Sequence, residues 1–121
     1  MEINYIPSQQ GKIAEITGNN IFIQNQEDAL NLMMNCLYSD ADKLILYQQN
    51  ITPNFFKLKT KLAGDILQKF STYHAFLAIV GDFTVYDSKS LQDFIRESNR
   101  IKRINFVHTR EEALELFGGL H

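Results

Sequence analysis

Polar side chains that could do chemistry follow apolar runs of this 121-residue chain. Thr52, Asp82 and His108 each come after such a run, and parallel strands would bring these positions to one edge of a sheet. Asp82 could act as a base, as an acid that relays phosphate, or as a Mg²⁺ ligand. A Mg²⁺ site would need a second acidic group, and Asp87 is a candidate for it. The simpler interpretation is that Asp82 caps the following loop, so no metal site is predicted.

A second candidate surface is the basic run that surrounds Thr60. Lys59 and Lys61 flank Thr60, and Lys57 precedes them. Such a run could meet an acidic partner or a phosphate group. The alternative is an ordinary solvated helix face, which is the commoner origin of a run of charges.

A third polar cluster closes a helical pattern near residue 100. Arg96, Glu97, Asn99 and Arg100 could form a binding rim, or they could be a helix terminus with local ion pairs. Asn99 tolerates the left-handed conformation that often ends a helix, so the helix is predicted to stop there.

The sequence contains no standard catalytic motif. It has no Gly-rich phosphate loop, no Gly-x-Ser-x-Gly elbow and no His-Glu-x-x-His. Cys36 is the only cysteine, which excludes an internal disulfide, and its apolar surroundings favour a buried structural thiol. His74 and His108 have no Ser or Cys partner fixed by a motif. These absences favour a protein that is not an enzyme, and no cofactor is expected.

The stretch from Asn50 to Asp82 must position most of these groups. Thr52-Pro53 is a typical helix start, because the hydroxyl accepts a backbone N–H and Pro loses no hydrogen bond at the first position. An apolar stripe of period 3.6 then runs from Phe55 to Phe70, and Thr60 offers a second start within it. Both one helix and two helices are compatible with this pattern. Ala75–Val80 is a continuous apolar run, typical of a strand covered on both faces.

The remaining segments alternate regularly between strand and helix patterns. Two amino-terminal strands come first, and helices then follow a cap at Asn25, a cap at Ser88 or Ser90, and a capping box at Thr109. The sequence of residues 39–42 predicts a loop. This order predicts one α/β domain over residues 1–121, with a mainly parallel sheet, packed helices and an antiparallel edge. The expected strands are 2–6, 12–17, 43–47, 75–80 and 103–108.

Charge and hydropathy restrict the partners. The net charge of -2 provides no general basic field, so nucleic acid is not expected as the main partner. We find no signal peptide and no apolar run of about 18 residues, so a cytoplasmic protein that does not bind membranes is expected. The expected partner is another protein, and a homodimer remains open.

Five segments of the chain together resemble a family of small bacterial proteins known as domain of unknown function 4180. The resemblance covers nearly the whole chain and implies a bacterial cytosolic protein without an assigned activity. The segments are QEDALNL (26–32), NITPNFF (50–56), LAGDILQKF (62–70), AIVGDF (78–83) and DFIRESN (93–99).

The order of elements also resembles the sulfate-transporter and anti-sigma-factor-antagonist (STAS) domain. Regulatory STAS members carry a phosphorylated Ser at the start of the second helix, in a Ser-Gly-Leu-Gly context. The matching run here is Thr60-Lys61-Leu62-Ala63, so the resemblance implies Thr60 as the phosphate acceptor. Lys61 and Ala63 replace the two glycines of that pattern.

Three functions therefore remain open at the level of sequence. The first is a non-enzymatic regulatory or protein-binding module of STAS-like type, whose partner face includes Thr60 and its lysines. The second is a small enzyme or nucleotide-binding protein that uses Thr52, Asp82 and His108. The third is a dimeric toxin, antitoxin or stress component, for which no particular residue argues.

Overall fold

The computed structural model describes residues 1–119, which form one five-stranded sheet and four α-helices. Short 3₁₀ segments connect them at Gln48–Asn50, Pro53–Phe56, Leu58–Thr60 and Phe83–Val85. The longest helices have 13 residues, and no helix in this part of the chain is long and apolar enough to cross a membrane. The strands are Glu2–Pro7 (β1), Lys12–Thr17 (β2), Ala41–Tyr47 (β3), Phe76–Val80 (β4) and Ile104–Val107 (β5). The helices are Gln26–Tyr38 (α1), Leu62–Thr72 (α2), Lys89–Ile101 (α3) and Arg110–Leu116 (α4).

The strands lie in the order β1-β2-β3-β4-β5. β1 pairs antiparallel with β2, whereas β2 to β5 pair parallel. The apolar strands β3, β4 and β5 are in one layer, with Leu44 opposite Leu77 and Leu77 opposite Ile104. The predicted α/β class, with a mainly parallel sheet and an antiparallel edge, is confirmed.

Alternating side chains of the strands divide the core into two parts. Leu44, Leu46 and Ile79 face the larger part, to which α1, α2 and α3 contribute. Ile45 and Ala78 face the smaller part, which α4 covers. The segments after β4 and β5 therefore lead to opposite faces of the sheet. In open α/β sheets, such a divergence at the carboxyl ends of the strands is where ligand crevices form.

The stretch between β3 and α2 contains three 3₁₀ segments rather than one long helix. Thr52 accepts a hydrogen bond from the backbone N–H of Asn54, so the predicted start at Thr52-Pro53 is present but opens a short turn. Lys61 has a positive φ of 65°, which interrupts the helical path. α2 therefore begins at Leu62, after the second start that the sequence offered.

Two predicted boundaries are wrong. The loop expected at residues 39–42 ends earlier, because β3 begins at Ala41. α3 does not stop at Asn99 but continues to Ile101, and Lys102 takes the left-handed conformation with φ 70°. Asn99 instead uses its side chain, which accepts from the backbone N–H of Phe106 at 2.7 Å and donates to its carbonyl at 3.2 Å. This pair of bonds occupies the outer edge of β5.

Candidate functional site

Thr60 is exposed and ties together the segments before α2. Its hydroxyl lies 2.7 Å from the carbonyl oxygen of Asn54 and 2.8 Å from that of Lys57, and it accepts the N–H of Leu62 at 3.3 Å. One hydroxyl hydrogen is shared between two carbonyls, while the oxygen accepts from the backbone N–H of the first residue of α2. Thr60 therefore fixes the geometry of the basic run.

The three lysines of this run are exposed. Within residues 1–119, Lys57, Lys59 and Lys61 have no carboxylate within ion-pair distance, although five other ion pairs occur in this part of the chain. Their charges are therefore available to a partner.

A groove of about 510 Å³ lies beside these lysines, and we call it the basic groove. Val85, 66% exposed, supplies an apolar wall, and Phe56 stacks on Tyr86 with ring centroids 4.8 Å apart. The lining carries two lysines and one carboxylate, that of Asp87, so the lysine side of the groove suits a partner segment with apolar and acidic residues. The groove is lined by Phe56, Lys57, Leu58, Lys59, Val85, Tyr86, Asp87, Ser88 and Ser90.

A second opening of about 480 Å³ lies at the carboxyl ends of β3 and β4, and we call it the rim cleft. It shares Tyr86 with the basic groove, so the two openings are adjacent. Thr60 and Asp82 line neither of them. The rim cleft is lined by Ile21, Tyr47, Gln48, Gln49, Ile51, Pro53, Val80, Gly81 and Tyr86.

Gln48 builds one wall of the rim cleft. Its Oε1 accepts the backbone N–H of Asp82 at 2.9 Å, and its Nε2 donates to the hydroxyl of Tyr86 at 2.9 Å. A Cβ at position 81 would lie 2.3 Å from that Oε1, so only glycine leaves room for this side chain. The Gly81-Asp82 pair is therefore needed for the wall, a role that the sequence did not indicate.

Asp82 is exposed and caps the 3₁₀ segment Phe83–Val85. Its Oδ1 accepts from the hydroxyl of Thr84 at 2.6 Å and from its N–H at 3.1 Å. These two hydrogen bonds lower the pKa of Asp82, and the nearby His108 lowers it further. No group of three His, Cys, Asp or Glu side chains suited to a metal ion occurs among residues 1–119.

Thr52 and Cys36 lie in surroundings typical of residues that stabilise the fold. Thr52 is half-buried, and its backbone N–H donates to the carbonyl of Ile23 at 2.8 Å. Cys36 is fully buried, and burial raises the pKa of its thiol to about 11. A thiol with so high a pKa is a poor nucleophile at neutral pH.

The α3 cluster lies apart from both openings. Arg96 pairs with Asp93 at 3.1 Å, and Arg100 pairs with Glu97. Both are exposed pairs within one helix, and Asn99 is engaged with β5. The structure thus places Lys59 in the basic groove, and Thr60 follows it directly in the chain. Arg96 and Glu97 form ion pairs within α3, and Asn99 binds the backbone of β5.

A buried polar cluster on the α4 face was missed by the sequence analysis. Glu15 is 6% exposed and accepts from the hydroxyl of Tyr47 at 2.5 Å and from Nε of Arg110 at 2.8 Å. Burial alone would raise the pKa of Glu15, but the bonds from Arg110 and Tyr47 outweigh it and lower that pKa. Burial and the neighbouring carboxylate raise the pKa of Tyr47. The one signal in the sequence was a charge between the apolar residues of β2.

The chain belongs to the family described as a domain of unknown function, DUF4180, whose sequence model matches residues 8–116. No curated protein matches the chain.

Proposed function

We propose that the chain is a non-enzymatic regulatory module of bacterial cytoplasm that binds another protein in the basic groove. The observation that supports this most is the combination of exposed Val85 with Lys57 and Lys59, whose charges have no internal partner within residues 1–119. Apolar surface supplies affinity, and unpaired charges supply orientation and a fast encounter. The partner would present an apolar side chain flanked by acidic residues.

The proposal includes a STAS-like mode of regulation. Successive βα units advance in one direction from β2 to β5, with α1, α2 and α3 on one face, as expected of a STAS-like superhelix. Thr60 precedes α2, where the STAS phosphate acceptor would stand. The fold and the position therefore support the same kind of switch.

Phosphorylation of Thr60 would change the basic run physically. A kinase would transfer the γ-phosphoryl group of ATP to Oγ1, and the hydroxyl proton would leave. Thr60 could then no longer donate to Asn54 or Lys57. The new charge would instead face three lysines and the start of α2, where anions are stabilised. Partner binding would change because Lys59 would pair with the phosphate.

The test is to capture the partner and then to measure its affinity. A photo-crosslinking residue at position 85 would trap the partner, which is then purified and titrated against variants. We expect Val85→Asp and Lys59→Glu each to weaken binding at least about tenfold. Ile101→Asp and Lys102→Glu, exposed residues at the end of α3, are the matched controls. Equal losses in both pairs, or a partner that is crosslinked but insensitive to all four variants, would refute the proposal.

A second candidate function is a ligand-binding or enzymatic site at the rim cleft. The observation that favours it is the position of the cleft at the carboxyl ends of the parallel strands β3 and β4, the edge at which open α/β sheets bind ligands. The Asp82 carboxylate lies outside the lining of the cleft, so binding is better supported than catalysis by this group. Thermal shift assays with neutral nucleosides and with nucleotides would test this candidate, and no stabilisation by either class would count against it.

A further inference from the structure

The rim cleft has two aromatic walls that are already fixed in position. The hydroxyl of Tyr47 is held by buried Glu15, which is in turn held by Arg110. The ring of Tyr86 is stacked on Phe56, and its hydroxyl accepts from Gln48. Side chains that are ordered before binding lose little rotamer entropy when a ligand arrives. Tyr47 belongs to the α4 face of the sheet and Tyr86 to the opposite face, so the two ordered rings border the rim cleft from either side of the sheet edge.

The rest of the lining is apolar or uncharged. Ile51 and Val80 are buried, and Ile21 is 41% exposed at the same opening. None of the described residues that line the rim cleft carries a charge at neutral pH. The volume of about 480 Å³ lies within the range of small-molecule sites. A neutral ligand fits this lining, because a charged one would lose hydration without gaining an ionic partner.

Gln49 provides one amide with hydrogen-bonding capacity to spare. The amide of its neighbour Gln48 is held in place by one acceptor bond to Asp82 and one donor bond to Tyr86. Gln49 is exposed, and its side chain makes no hydrogen bond within residues 1–119. A primary amide offers a donor and an acceptor side by side, which matches a ring with an adjacent acceptor and donor.

We propose that the rim cleft binds a neutral planar heterocycle with an adjacent hydrogen-bond donor and acceptor, such as a purine or pyrimidine base. The ring packs against Tyr47 and Tyr86, and Gln49 reads its hydrogen-bonding edge. This inference rests on the second candidate function and names its ligand class. It does not depend on protein binding in the basic groove.

The test is a titration of ¹⁵N-labelled full chain with adenine and with uracil, followed by NMR. We expect saturable shifts of the amide signals of Gln48, Gln49 and Gly81, including the side-chain amide of Gln49. Gln49→Ala should weaken binding about tenfold, as expected for the loss of a bidentate contact. Gln68→Ala, an exposed glutamine on α2, is the matched control and should bind like the wild type.

Benzoate, a charged planar probe, separates the ligand class from the site itself. Shifts at these residues with benzoate but with neither base would overturn the inference and leave the rim cleft as a ligand site. An absence of saturable shifts with all three probes would overturn both. Binding of the bases that is unaffected by Gln49→Ala would also overturn the inference, since Gln49 would then not read the ring.

Discussion

At the scale of single residues, Glu15 is the most consequential side chain that sequence reasoning missed. It joins Tyr47 of β3 to Arg110, the first residue of α4, and lies 95 positions before that arginine. Arg110 is about half exposed and Glu15 is buried, so water screens the pair only from one side. The cluster therefore fixes both the start of α4 and one wall of the rim cleft.

Replacing Glu15 by Gln should destabilise the fold. The substitution keeps the size of the side chain but removes the charge that Arg110 and Tyr47 meet at Oε2, so two charge-assisted hydrogen bonds become weaker bonds to a neutral acceptor. We expect a loss of about 1–3 kcal/mol in the free energy of unfolding, measured by urea denaturation. Glu111→Gln, an exposed neighbour, is the control and should change stability by less than about 0.5 kcal/mol. Equal effects of the two substitutions would contradict the role of Glu15.

The same cluster predicts a pH dependence. The pKa of Glu15 is lower in the folded chain than its ordinary value of 4.5. The stabilisation is therefore complete above that value and is lost as the pH falls through the folded pKa, where the bound carboxylate is protonated. Urea midpoints of wild type and Glu15→Gln should converge on acidification below about pH 4.5. A stability difference that stays constant down to the acid transition would contradict the assignment.

Gly81 offers a test of the Gln48 wall. An alanine Cβ would lie 2.3 Å from Oε1 and 2.6 Å from Cβ of Gln48, so the glutamine must move. We expect Gly81→Ala to cost about 1–3 kcal/mol of stability, as overpacking does. In the double variant Gly81→Ala, Gln48→Ala, most of the clash with the glutamine's amide is gone, and part of the loss should return. Additive losses in the double variant would show that the two positions do not touch.

At the scale of elements, caps were predictable and the stretch before α2 was only partly so. Asn25, Ser88 and Thr109 accept the N–H groups that their sequence contexts indicate, because capping is a contact between near neighbours. Thr52-Pro53 gave an equally good local signal but opens a 3₁₀ segment. Phe55 and Phe56 must both be buried, and Lys61 breaks the path before α2. Tertiary packing decides whether such a start opens an α-helix or a 3₁₀ segment, and the local sequence pattern contains no information on that packing.

The outer edge of β5 depends on α3. The side chain of Asn99 pairs with both backbone groups of Phe106, and the hydroxyl of Ser98 donates to the carbonyl of Ile104 at 2.6 Å. Asn99→Ala should cost about 1–3 kcal/mol and should increase self-association, because an uncovered edge strand pairs with other chains. Urea denaturation and light scattering measure the two effects. Asn31→Ala, an exposed position on α1, serves as the control, and similar behaviour of both variants would contradict this role.

At the scale of the whole molecule, the parallel pairing of β3 and β4 was predictable because both strands carry continuous apolar runs. Leu77, Ala78 and Ile79 are buried on both faces of the sheet, as an unbroken apolar run requires. The openings were not predictable, since each is built from segments distant in the chain. Gln48 meets Gly81 and Tyr86 only after α2 and β4 have returned the chain to β3.

The central claim is that the basic groove is the surface that a partner protein covers. The most direct measurement is the ¹⁵N chemical-shift footprint of the full chain with the captured partner. If the partner covers the basic groove, the largest changes will cluster at Lys57–Lys59 and Val85–Ser88 and will vanish with Val85→Asp. A footprint centred instead on Met34 and Tyr38 of α1, with the groove signals unchanged, would contradict it.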